Sequence, residues 1–229
     1  SDSIEAKEST IFKDDLDLSG SIGFNLTLLL DVATDTGSVT LKTKEEATTK
    51  KTQYFIEDSS NGIVEILYSW GQSADDYKEF NVEGNTTYQR DAVASAATTL
   101  NGEDVYLVAI KESTIYSEGE VQNVDLRWRL DYVDLNGTIL EENSVETGSI
   151  QSYETTFEQD LDNDSQVGLN LSGLTAIGTD SKGVTLSRDG EAIYITDQNL
   201  TSQQTFLLQD YWGNSPDIEW GGEDFGQKS

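Results

Sequence analysis

Val124-Asp125-Leu126-Arg127-Trp128-Arg129-Leu130-Asp131-Tyr132-Val133 alternates from Val124 to Tyr132. Leu126, Trp128, Leu130 and Tyr132 fall on one side of an extended chain, with Asp125, Arg127, Arg129 and Asp131 on the other. That is the period-two pattern of a strand with one buried face. Asp134-Leu135-Asn136-Gly137 follows, and its Asn-Gly pair turns the chain back into Thr138-Ile139-Leu140. Working outward, Glu103 to Ile110 reads as a central strand, apolar on both faces, and Ser38 to Thr43 alternates Val39 and Leu41 against Thr40 and Lys42. Gln53 to Glu57 and Ile63 to Trp70 are β-like runs joined by the turn Asp58-Ser59-Ser60-Asn61-Gly62. Phe24 to Leu30, Val184 to Leu186, Ala192 to Thr196 and Thr205 to Tyr211 read as further strands, and Lys44 to Thr52 as a loop or hairpin tip. Ala92 to Thr98, rich in Ala and Ser, fits a small helix or a packed strand. Ser9 to Asp14 and Ser152 to Gln159 read as short helical segments. Short strands with turns about every ten residues predict a mainly β fold, an antiparallel sandwich or barrel-like repeats with short helices leading into acidic loops.

The chain also repeats itself. Phe157-Glu158-Gln159-Asp160-Leu161-Asp162-Asn163-Asp164-Ser165-Gln166-Val167-Gly168-Leu169-Asn170-Leu171 echoes Phe12-Lys13-Asp14-Asp15-Leu16-Asp17-Leu18-Ser19-Gly20-Ser21-Ile22-Gly23-Phe24-Asn25-Leu26, 145 residues apart, and the match runs on to Val184-Thr185-Leu186 against Val39-Thr40-Leu41. Trp212-Gly213-Asn214-Ser215 echoes Trp70-Gly71-Gln72-Ser73 at an offset of 142. The expected organisation is a linker at 1–8, a first β unit at 9–153 with an acidic loop at 15–26, and a second, partial unit at 154–229 with an acidic loop at 160–171. A half-unit cannot bury its apolar face alone. It is therefore expected to pack onto the first, or the true domain begins mid-repeat.

Charge excludes whole classes of partner. With 43 Asp and Glu against 14 Lys and Arg, the net charge of -29 offers no footprint for a nucleic-acid backbone and disfavours anionic membrane surfaces. His and Cys are both absent, which removes the usual ligands for zinc and haem and the base of a Ser-His triad. No apolar run approaches the roughly 20 residues of a membrane span. The polar N-terminus is no signal peptide, so the chain is expected to be a piece of a longer protein or to have its export signal elsewhere.

The acidic loops carry the chemistry. In a loop of EF-hand type, positions 1, 3 and 5 supply side-chain oxygens, position 7 a carbonyl, and a Gly at 6 the sharp turn. Asp15, Asp17, Ser19, Gly20 and Ser21 fit the first copy, and Asp160, Asp162, Asp164, Ser165 and Gln166 the second. Position 12, normally a bidentate Glu, is Leu26 in one and Leu171 in the other, and Ser165 stands where Gly is expected. Asp14, Glu158 and Asp131 are the carboxylates considered for completing the set. Such a site implies Ca2+ at about 10⁻⁴–10⁻³ M affinity, holding the fold rather than sensing a signal. The alternative is an ordinary acidic turn in an acid-rich chain.

Thr99-Leu100-Asn101-Gly102, Arg127-Trp128-Arg129-Leu130-Asp131, Tyr153-Glu154 and the run Phe157 to Gly168 occur in that order, and Phe12 to Gly23 repeats the last of them. From Ala92 to Gly168 the chain resembles the tryptophan-rich repeat found toward the C-termini of large secreted surface proteins of cyanobacteria and marine bacteria, with EF-hand-like, dockerin-like acidic loops. The resemblance implies extracellular or cell-surface location and no enzymatic activity. The chain departs from that family in holding only four Trp and in Ser165.

Trp70, Trp128, Trp212 and Trp220 are the aromatic candidates. Strand aromatics are usually core, and Trp128 belongs there by its alternation, which leaves Trp220, among Gly and acids, as the candidate for a ligand contact. The expected function is a non-enzymatic, calcium-stabilised surface, adhesion or filament-assembly module. Its partners would be neighbouring repeats or copies of itself. A carbohydrate-binding module with glycan partners is the alternative, and a polysaccharide-acting enzyme with paired carboxylates a third reading.

Overall fold

The alternating run lies inside the largest of three antiparallel sheets. The computed structural model describes residues 29–34, 39–45, 51–118, 121–169, 171–189, 192–197, 199–200 and 205–208. The linker, the first acidic loop, most of the run at 24–30, Trp212 and Trp220 lie outside them.

The first sheet is β1 (Leu30–Thr34), β2 (Val39–Glu45), β3 (Thr52–Asp58) and β4 (Gly62–Glu65), paired in chain order. The second holds β5 (Lys78–Glu83), β6 (Thr86–Leu100), β7 (Glu103–Glu118), β8 (Val121–Val133) and β9 (Val145–Thr147). A short helix, α1 (Gln151–Phe157), leads to the second acidic loop. The third sheet is β10 (Thr175–Thr179), β11 (Val184–Asp189), β12 (Ala192–Asp197) and β13 (Thr205–Leu207), again in chain order. The fold is thus mainly β and sandwich-like, and no sheet closes into a barrel among the described residues.

Both faces of the five-stranded sheet are covered at its inner end. On one face Ala92, Tyr106, Val108, Ile110 and Val133 pack against Val39, Leu41, Tyr54 and Ile56 of the first sheet, with Ile66, Ala74, Tyr77 and Ile139 filling the rim. On the other, Ala94, Ala96, Leu107, Ala109, Trp128 and Leu130 pack against Ile150 and Phe157 at the two ends of α1. The undecided stretch 92–98 is the middle of β6, and its alanines serve both layers. A bulge between Ala92 and Ala94 shifts the parity, so that these two residues, two apart, face opposite cores. Ala94 and Ala96 leave room for Trp128, which is fully buried beneath the Lys111 ammonium at 5.8 Å from its ring centroid.

The polar face of β8 departs from the simple expectation that it meets water. Asp131 is 0% exposed and accepts hydrogen bonds from the Tyr77 hydroxyl (2.7 Å), Arg129 Nε (2.9 Å) and the Ser144 hydroxyl (2.6 Å). The 3-10 turn Asp75–Tyr77 folds over this face and brings the phenol with it. A buried carboxylate is tolerable because a cation and two hydroxyls satisfy its oxygens.

The Asn-Gly turn forms as read, with Gly137 at φ 90 and its N–H donating to the Asp134 carbonyl. Gly137 also hands its own carbonyl to Leu67 N–H, tying the turn to the first sheet's exit. Asp58 closes the β3–β4 turn by accepting from Ser60 N–H and the Asn61 amide. It also accepts from the Tyr106 hydroxyl at 2.9 Å, which joins the first sheet to the second.

Candidate functional site

Helix α1 ends because Glu158 turns left-handed (φ 54, ψ 32) and donates its N–H to the Glu154 carbonyl. The chain then coils through 160–168, and every carboxylate of that coil takes backbone N–H groups. Asp160 accepts from Asp164 N–H (3.1 Å) and Ser165 N–H (2.8 Å), Asp162 from Asp164 N–H (3.0 Å), and Asp164 from Gln166 N–H (2.8 Å). These side-chain-to-backbone turns are why Asp recurs at alternate positions. Ser165 fills the position that favours Gly and adopts the left-handed conformation regardless, at φ 74.

The organising residue is one that spacing did not name. Glu154, 0% exposed on the inner side of α1, accepts from Leu161 N–H (2.7 Å) and Asp162 N–H (3.1 Å) with Oε1, and from Gly168 N–H (2.9 Å) with Oε2. Both ends of the loop are therefore fastened to one carboxylate. Gly168 is required where it stands: its φ is 87, and an added Cβ would press on the Thr155 methyl at 2.8 Å. Burial raises the Glu154 carboxyl above its ordinary value and the Asp162 charge adds to that, while the three backbone donors oppose it.

Glu154, Asp160 and Asp162 each offer a carboxylate oxygen, and the three atoms lie within 4.8 Å of one another. Hard oxygen donors at this spacing match a divalent cation such as Ca2+, which takes 6–8 oxygens at about 2.3–2.6 Å. Asp164 is directed elsewhere, its second oxygen accepting from Gln151 Nε2 at 3.2 Å, and Gln166 is exposed. Of the carboxylates considered for completing the set, Glu158 is the exposed helix cap and Asp131 is committed to Tyr77, Arg129 and Ser144. Asp14 lies outside the described residues, as do Asp15, Asp17, Ser19 and Ser21 of the first loop.

The loop sits at a junction. Leu161 packs against the core under α1 together with Ala33 of β1, and Gln159 Nε2 donates to the Thr34 carbonyl at 3.2 Å. The helix opening the second sequence copy therefore closes the core of the first unit, and the loop leads from it to the third sheet.

A second feature lies across the molecule. Trp70 is 57% exposed, its ring stacked on Tyr68 with centroids 4.5 Å apart and planes at 7°. The pair borders an open cleft with Asp76, Arg129, Glu141 and Glu146. The exposed tryptophan of the described residues is thus Trp70, while Trp220 lies outside them. Among the described residues no helix is long and apolar enough to cross a membrane. No protein-family model, curated protein or solved structure matches the chain.

Proposed function

We propose that the chain is a non-enzymatic, calcium-stabilised module of a repetitive extracellular or cell-surface protein, serving adhesion or filament assembly. The observation that carries this reading is the convergence of Glu154, Asp160 and Asp162 on one point, in the loop that joins the first unit to the second copy of its own opening sheet. A cation there neutralises carboxylates that repel one another and fixes the angle at which one unit leaves the next. Water and loop carbonyls complete its shell in place of the missing position-12 carboxylate. The resemblance of 92–168 to tryptophan-rich surface repeats and the charge of -29 support the same setting, in which millimolar calcium saturates a weak site.

Isothermal calcium titration of the wild type against Asp162→Ala and Asp160→Ala tests the reading. The loss of one weak site in both variants is the expected result, and a wild type without a calcium isotherm sinks it. A second reading, glycan binding, is favoured by the Trp70–Tyr68 stack, because an exposed aromatic face beside carboxylates and a guanidinium suits a sugar ring. It predicts glycan binding that survives chelation and is lost in Trp70→Ala.

A further inference from the structure

The third sheet is a structural duplicate of the first, strand by strand and in the same register. Leu30 pairs with Thr43 and Thr175 with Arg188, Asp31 with Lys42 and Ala176 with Ser187, each 145 residues on. The register slips at the same place in both, between Asp31 and Ala33 and between Ala176 and Gly178. The same threonine pair follows, Thr34 to Thr40 at 3.1 Å and Thr179 to Thr185 at 2.9 Å between hydroxyls. Past the hairpin the correspondence continues as Ile56 opposite Val64 and Ile195 opposite Phe206.

What differs is the cover. Val39, Leu41 and Ile56 are 1%, 0% and 0% exposed beneath Ala92, Tyr106, Val108 and Ile110 of the five-stranded sheet, with Val64 packed against the same cluster. Their counterparts Val184, Leu186 and Ile195 are half-buried and line an open apolar groove, and Phe206 is 40% exposed, while Ile193, in the place of Tyr54, is already buried at 7%. None of the third sheet's residues joins either core cluster.

We infer that this face is the seat for a five-stranded sheet of the β5–β9 kind, carried by a further unit of the same build joined in series with this one. The inference rests on the modular reading above and names the partner that reading leaves open. The first sheet's interface is the template, since the same positions in the same register already bind such a sheet. Charge agrees with it. Arg188, exposed beside Ile193, stands where Thr43 flanks Tyr54, and Tyr54 meets the Ala92 backbone next to Asp91. An incoming sheet therefore brings an aspartate to that arginine. Size decides between a tethered and a free partner. Strands of 5, 6, 6 and 3 residues about 4.8 Å apart give a face of roughly 300 Å², less than half of the about 800 Å² per partner that stable association of separate proteins takes. A tether supplies the missing drive as effective concentration.

The test extends the intact chain after Ser229 by a second copy of residues 74–157 and follows amide exchange in β11 and β12. Protection of those amides should rise at least tenfold, toward that of β2 and β3. Leu186→Asp in the extended protein should cancel the rise. Unchanged protection beside an appended segment that is itself protected overturns the inference. Should the appended segment not fold, the unextended chain decides. There Leu186→Asp and Ile195→Asp should leave the melting temperature unchanged, whereas Leu41→Asp and Ile56→Asp, at the matching positions, should unfold the first unit. Equal damage from both pairs overturns the inference, as does a dimer of the unextended chain that Leu186→Asp abolishes. Running the exchange with calcium and with chelator separates this outcome from failure of the metal site.

Discussion

Glu154→Gln, made in calcium-free buffer, isolates what the buried carboxylate does for the loop. Its two oxygens hold three backbone N–H groups, from Leu161, Asp162 and Gly168, at 2.7–3.1 Å. The amide keeps the shape but replaces one acceptor with a donor. In its better orientation it keeps Leu161 and Asp162 and sets its NH₂ against Gly168 N–H, stranding one buried donor at about 1–3 kcal/mol. The two surviving bonds also lose their charge assistance, and such bonds are about twice as strong as neutral ones. The expected total is about 2–4 kcal/mol, and Glu154→Ala should cost more because it strands all three donors. Urea unfolding gives the energy, and amide exchange at Leu161, Asp162 and Gly168 gives the place. Those three amides should lose protection before any in β6 or β7. A change below about 1 kcal/mol with the three amides still protected would refute the claim that Glu154 organises the loop.

Other expectations concern the frame around the site. Gly137→Ala should cost about 3 kcal/mol or more by urea unfolding, combining the left-handed penalty of about 1–2 kcal/mol with overpacking, because a Cβ there runs into the Glu65 carbonyl. Gly102→Ala, at φ 87 with open space around it, should cost the conformational penalty alone, and equal losses at the two positions would contradict the packing argument. Asp58 is held below its ordinary pKa by the Ser60 backbone N–H first, then by Asn61 and Tyr106. A lowered native pKa stabilises the fold above the unfolded value of about 3.9. That contribution is lost as pH falls through the native pKa, so Asp58→Asn should flatten the acid limb of a stability–pH curve. An unchanged acid limb would mean that Asp58 plays no part in it.

Much of the frame was legible in sequence because backbone period and turn chemistry are local. The alternation at 124–133 located β8, and Asn136-Gly137 located the turn after it. The repeat pointed to a second, partial copy of the first unit. What was not legible depends on distant partners. Alternation assigned Asp131 to a polar face, but not that Tyr77, arriving from 54 residues away, would cover that face and satisfy the charge. Ala92 to Thr98 stayed undecided because Ala favours helices intrinsically, while the small side chains are there to admit Trp128. Counting forward from Asp160 looked for the completing carboxylate at position 12. The carboxylate that the fold sets beside Asp160 and Asp162 lies instead six residues before the loop, on α1, and the available signal was Tyr153-Glu154 just ahead of Phe157. Ser165 counted as a misfit by residue type, yet the backbone takes the conformation that a glycine would.

The central claim is that the loop at 160–168 holds a structural calcium ion. Thermal unfolding of the intact chain at 10 mM calcium and again in excess chelator tests it most directly. With a dissociation constant of about 10⁻⁴–10⁻³ M, saturation at 10 mM adds about 1.4–2.7 kcal/mol. That raises the melting temperature by roughly 3–10 °C for a chain of this size. The account predicts that shift in the wild type and its absence in Asp162→Ala. Identical melting with calcium and with chelator would contradict it and leave the loop an acidic turn held by Glu154 and its own aspartates.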